Sequence, residues 1–151
     1  RIPTKRGEID LDALRREMTK NVVLVTMMMV NNETGARYDV ATAFRIIKEA
    51  NPDCVCHTDC VQAYLKIMIN ANSLGADLIS VSAHKIHGPK GVGFLYVDEK
   101  LNIRPLILGG GQQKGMRSGT ENVPGIAAMA AALKEAAGRM QELRHGSAGS
   151  F

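Results

Sequence analysis

Between Val22 and Val30 the chain is almost continuously apolar, with Thr26 and three consecutive methionines, Met27 to Met29, inside the run. Its length and β-branched residues predict a strand over Val22–Met29, buried on both faces. Ahead of it, Leu11, Leu14 and Met18 recur at helical spacing, predicting a short helix over Ile9–Met18 with Asp10 as N-cap. Behind it, Asp39 caps a predicted helix reaching about Glu49, with Ala43, Ile46 and Ile47 on one face, and Asn51-Pro52-Asp53 breaks it. Strands are predicted at Cys54–Thr58, Leu78–Ser82, Val92–Val97 and Arg104–Leu108, with one helical turn at Ala71–Gly75. The longest predicted helix runs from Asn122 to about Leu143, rich in alanine, with Pro124 tolerated in its first turn.

Strands alternating with helices predict an α/β fold built on a mainly parallel sheet flanked by helices. The turn between Lys85 and Val92 is too short for a helical crossover, so the strands on either side of it are expected to run antiparallel.

At 151 residues the chain can bury the core of one domain, and 45% hydrophobic with 23% charged residues is ordinary for a globular protein. Aromatics are only 4% and Trp is absent, which leaves no ring platform for single-stranded nucleic acid. The net charge of +4 is spread along the chain, so direct nucleic-acid binding is not expected. No apolar run approaches the ~20 residues that cross a bilayer, and no signal peptide is visible at Arg1. Three cysteines cannot all pair internally, which suits a reducing cytoplasm. Cys54, Cys56, His57 and Cys60 could be drawn as a zinc site. Residues 56 and 57 face opposite ways on a strand and the spacing fits no common pattern, so no metal is expected.

The chemistry concentrates in Ser80-Val-Ser-Ala-His-Lys-Ile-His-Gly-Pro-Lys-Gly-Val-Gly-Phe-Leu-Tyr96. An apolar strand ends on polar donors and a lysine, a glycine-rich turn follows, and a second strand begins at once. Ser82 and His84 can hold a phosphate, while Lys85, desolvated between strands, can form a Schiff base with a carbonyl. An anionic, carbonyl-bearing cofactor fits both, which points to pyridoxal 5'-phosphate (PLP). The Gly88-Pro89-Lys90-Gly91 turn lacks the spacing and the Lys-Ser/Thr ending of a nucleotide-binding P-loop.

This stretch resembles the lysine segment of the cysteine desulfurases, in the class-V aminotransferase family. Val30-Asn31-Asn32-Glu33-Thr34-Gly35, His57-Thr58-Asp59-Cys60-Val61-Gln62-Ala63 and Gly109–Gly125 resemble further segments of that family, in the same order, over roughly Ile9 to Leu143. The resemblance implies the large, cofactor-binding domain of a PLP-dependent transferase of fold type I, truncated. Residues 1–144 would form part of that domain, with 145–151 a linker-like tail.

By the same resemblance, Asp59 partners the pyridine nitrogen, and Gln62 and Asn32 offer neutral amides to the ring's phenolic oxygen, with Asn31 the nearer competitor for Asn32's role. Ser82 and His84 hold the phosphate, and Thr120 reaches the phosphate of a neighbouring subunit, which implies a homodimer. Lys85 carries the cofactor and then moves protons at substrate Cα. The family's ring-stacking histidine belongs to an earlier segment absent here, and His57 is expected to pack under the sheet instead. The nucleophilic cysteine of the family sits on a C-terminal loop with no counterpart here, and Cys60 is expected to be a packed thiol. Leu65 departs from a usual glycine, and Met29 from a smaller or polar residue.

The implied activity is conversion of L-cysteine to L-alanine, with sulfur passed to an enzyme cysteine and on to an acceptor or scaffold protein for iron–sulfur cluster assembly or tRNA thiolation. Selenocysteine lyase shares nearly all these motifs. A non-catalytic fragment or interaction module keeping a PLP cradle is the alternative of another class. The 151-residue chain alone is expected to be inactive.

Overall fold

The computed structural model describes residues 1–147, with side chains through Met140. It opens with a small antiparallel hairpin that the apolar pattern did not reveal, β1 (Thr4–Lys5) and β2 (Glu8–Ile9). The first helix, α1 (Leu11–Glu17), is capped as predicted, the Asp10 carboxylate accepting from Ala13 N at 2.9 Å. In α2 (Val40–Ala50), Asp39 does the same for Thr42 N at 3.1 Å. Asn51 closes α2, its backbone N donating to Ile47 O at 2.8 Å. The buried Asn51 side chain then donates to Val22 O at 3.0 Å, tying the end of α2 to the residues that lead into the preceding strand.

Four strands form the main sheet: β3 (Leu24–Met28), β4 (Val55–Asp59), β5 (Leu78–Ser82) and β6 (Gly93–Val97), in that order. The first three are parallel, and β6 returns antiparallel to β5, as the short intervening turn requires. A single turn, α3 (Ala71–Leu74), ends on left-handed Gly75. Asp77 fastens α2 to β4, its Oδ2 accepting from Lys48 Nζ at 2.8 Å and from Cys56 N at 2.7 Å. The longest helix, α4, spans Val123–Ser147. The first three residues of the expected tail are therefore helical, and the rest of it lies outside the described residues.

Side chains alternate across the sheet. Cys56, Thr58, Ile79 and Val81 point inward and are buried, and Cys56, Ile79 and Val81 share one cluster with Leu14, Phe44, Ile47 and Met129 from the helices. The other face carries Thr26, His57, Asp59, Leu78, Ser80, Ser82 and Leu95, and no described helix covers it. The expectation of a strand buried on both faces therefore fails for β3, where Leu24 is 51% exposed. Its apolar run reads as doubly buried, but the helices that pack on the sheet here all lie on one side.

Arg104–Leu108 is not a strand. Pro105 removes a backbone donor, no strand pairs with the free edge of β6 among the described residues, and Leu106 is 94% exposed. Leu65 holds φ 59°, the left-handed region that glycine occupies freely, so its departure from glycine carries a backbone cost of about 1–2 kcal/mol.

Gly93, the first residue of β6, is required by close approach. A Cβ there would run into Val81 O of the paired strand. Gly93→Ala should lower unfolding stability by about 2–4 kcal/mol by pushing β6 off β5, read as a drop in the urea midpoint. An unchanged midpoint would mean the two strands part without cost.

Candidate functional site

The parallel strands β4 and β5 end side by side, β4 on Asp59 and β5 on Ser82, both on the open face. Ligands gather at this carboxyl edge in open α/β sheets. Directly after Ser82 the chain makes one turn of 3-10 helix, Ala83–Ile86, which carries His84 and Lys85. Ser82 Oγ and His84 Nδ1 lie 2.9 Å apart, so the two phosphate candidates form a single polar pair. Ala83 and Ile86 are buried and anchor the turn, while His84 and Lys85 are exposed. His87 closes it at φ 64°, its N–H donating to Ala83 O.

Lys85 thus differs from the expectation of an amine desolvated between strands. The intervening residues form a turn rather than extending either strand, and the Lys85 side chain on it is exposed. Behind the turn the head of α4 packs tightly. A Cβ on Gly125 would lie 2.6 Å from Val92 Cγ2, so only glycine lets α4 approach this closely.

Asp59 is held by its surroundings. Its Oδ1 accepts from Val61 N at 2.8 Å, and its carbonyl accepts from Met29 N at 2.9 Å. The second bond brings the turn after β3 beside Asp59. In that turn Asn31 Oδ1 accepts from Glu33 N and Thr34 N, both at 2.9 Å, and from Thr34 Oγ1 at 3.1 Å. Asn31 is committed to building the turn. The exposed Asn32 side chain makes no hydrogen bond among the described residues and is free for a ligand. Gln62 lies in the turn following Asp59, its side chain likewise unengaged and its carbonyl accepting from Lys66 Nζ at 3.2 Å.

Thr120 stands exposed just before α4 and is not hydrogen-bonded to Ser82 or His84. The loop leading to it is latched by Ser118, a residue the sequence reading passed over. Buried Ser118 Oγ donates to Gly110 O at 2.8 Å and accepts from Gly110 N at 3.0 Å. Gly119 N adds a bond to Gln112 Oε1 at 3.1 Å. A lone serine in a glycine-rich stretch gives no sign of this, because its partner lies eight residues away.

His57 does not pack under the sheet. It lies on the open face with its ring between two hydroxyls, Nδ1 at 2.6 Å from Thr26 Oγ1 and Nε2 at 3.2 Å from Ser80 Oγ. Burial lowers its pKa below the usual imidazole value, and the Asp59 charge opposes that shift. The cysteines face the core. Burial pushes the Cys56 thiol up to about 12 and the Cys60 thiol up to about 11, so neither is a thiolate near neutral pH. No group of three or more His, Cys, Asp or Glu among the described residues is placed to hold a metal ion. No helix among them is long and apolar enough to cross a membrane.

The donor set suits PLP, with a carboxylate at one strand end, a hydroxyl–imidazole pair at the next, and a primary amine in the turn beyond, all on one rim. This is the α/β scaffold of the PLP-dependent transferases. The chain belongs to the class-V aminotransferase family, whose model matches residues 2–146, and pyridoxal phosphate is the cofactor of that family. It is similar to a cysteine desulfurase of Nostoc sp., 44% identical over 128 residues, covering 85% of this chain and 32% of the relative. It is 43% identical to a cysteine desulfurase of Gluconacetobacter diazotrophicus over 137 residues, covering 91% of this chain and 34% of the relative. Among solved structures, a NifS-like protein superposes with a TM-score of 0.88 at 43% identity, covering 93% of this chain and 39% of that one. The chain spans about a third of the length of the curated relatives it matches.

Proposed function

We propose that this chain is the cofactor-binding part of a cysteine desulfurase, with residues 1–144 belonging to the large domain. The observation that carries the reading is the shared rim of Asp59, Ser82, His84 and Lys85 in a chain this similar to cysteine desulfurases. Ser82 and His84 bind the phosphate, and Thr120 serves the phosphate of a second copy. Gln62 and Asn32 donate to the phenolic oxygen, and Asp59 holds a proton on the pyridine nitrogen. Bound there, pyridoxal phosphate supplies an electron sink that acidifies the substrate's Cα–H. Lys85 would anchor the cofactor through its amine and would be the base that moves a proton at Cα. L-Cysteine loses sulfur to an enzyme thiol, giving L-alanine and a persulfide, which passes to an acceptor or scaffold protein in the cytoplasm.

The thiol that takes sulfur is not among Cys54, Cys56 and Cys60, which are all buried, two of them with strongly raised pKa values. The 151-residue chain loaded with PLP should therefore form no alanine or sulfide from L-cysteine, whereas the whole protein should form alanine at one equivalent per sulfur released. Robust sulfide production by the chain, lost in Cys60→Ser, would make Cys60 the nucleophile. Alanine from L-selenocysteine but not from L-cysteine in the whole protein would move the assignment to a selenocysteine lyase.

A further inference from the structure

Thr120 is set between two fixed points of the backbone. On its C-terminal side α4 starts at once, Asn122 Oδ1 accepting from Gly125 N at 3.1 Å and the Asn122 carbonyl from Ile126 N at 2.9 Å. On its other side lies a glycine-rich loop in which Gly109, Gly115 and Gly119 all hold positive φ. Such a loop keeps wide backbone freedom unless something ties it. Ser118 supplies the tie. It is the one buried residue between Asn102 and Pro124. Its hydroxyl commits its proton and a lone pair to a single residue, donating to Gly110 O at 2.8 Å and accepting from Gly110 N at 3.0 Å. Ser118 N donates in turn to Ile107 O at 3.1 Å. The next residue is held as well, Gly119 N donating to Gln112 Oε1 at 3.1 Å.

Thr120 is therefore constrained from both sides while its side chain stays exposed. A hydroxyl carried on a fixed backbone can donate to an anion on another molecule without the entropy cost of ordering its own loop at that moment. Removing the Ser118 hydroxyl would leave both main-chain groups of Gly110 without this partner. The glycine run would then be free to move, and Thr120 with it.

We propose that Ser118 is a positioning residue: by closing the 110–118 loop on itself, it presents the Thr120 hydroxyl to the phosphate held by a second copy of the chain. The inference rests on the cofactor reading above and adds to it a residue that touches no cofactor.

The test separates phosphate contact from general stability. In the whole protein, the concentration for half-maximal borohydride labelling of Lys85 is compared for PLP and for 5'-deoxypyridoxal, which keeps the aldehyde and lacks the phosphate. Ser118→Ala should raise the PLP value about tenfold, the scale of one hydrogen bond to a charged group, and leave the other value unchanged. Thr120→Val should do the same, and the double variant should lose no more than either alone. Mixed dimers then place the effect. With Ser118→Ala and Lys85→Ala together in one chain and a wild-type partner, the remaining Lys85 should label poorly with PLP. With the two substitutions in separate chains it should label normally, because the loop reaching it is intact. Both mixtures carry the same substitutions, so lost stability would affect them alike. A rise for both aldehydes, or a loss in the second mixture, overturns the proposal and leaves Ser118 a residue that stabilises its own subunit. A loss in Thr120→Val with none in Ser118→Ala also overturns it, while the cofactor reading stands. A wild-type protein that takes both aldehydes equally well sinks the cofactor reading, and the proposal with it.

Discussion

Treating the chain with PLP and borohydride should place the label on Lys85 alone, and Lys85→Ala should lose it, with labelling down at least about tenfold. The reason is position. Lys85 occupies the turn that follows Ser82, next to the Ser82–His84 pair that would take the phosphate, and its side chain is exposed. Other lysines are held elsewhere. Lys48 bonds Asp77 and Lys5 bonds Asp10, both at 2.8 Å, and Lys66 bonds the Gln62 carbonyl at 3.2 Å. Surface amines such as Lys90 and Lys114 have no phosphate ligand beside them. Peptide mapping that finds the label at Lys90 or Lys66 would overturn the site.

Asp59→Asn, made in the whole protein, should leave cofactor binding largely intact and slow desulfuration on the order of a hundredfold or more, the scale of one electrostatic partner in an active site. An amide cannot keep a proton on the pyridine nitrogen, so the sink for the substrate carbanion is lost while the phosphate contacts remain. The readouts are PLP content and alanine formed from L-cysteine. Near-normal turnover in the variant would return Asp59 to a structural role, that of accepting from Val61 N in the turn after β4.

Much of the fold was legible along the chain because its signals are local. Both predicted aspartate caps are real, since an N-cap bonds an amide only three residues on. Leu78–Ser82 is a strand over the predicted residues, bounded by Asp77 and by the turn that carries the lysine. The antiparallel return of β6 followed from chain length alone. Errors arose where a partner was needed. Arg104–Leu108 has strand composition but no strand beside it, and Val22–Met29 has the composition of a doubly covered strand with one face open. The choice of Asn32 over Asn31 gains support from geometry, because Asn31 is consumed by three bonds inside its own turn.

By itself the sequence determined that a strand ends in Ser82, that His84 and Lys85 follow within a turn, and that Asp59 closes an earlier strand, because each depends on residues a few positions apart. It did not determine that Asp59 faces Ser80, that His57 lies between Thr26 and Ser80, or that Ser118 latches the loop before Thr120. Those relations join segments between eight and thirty-one residues apart. They are set by strand register and loop closure, where a slip of one residue would send every side chain to the other face. Only the packed sheet decides that register.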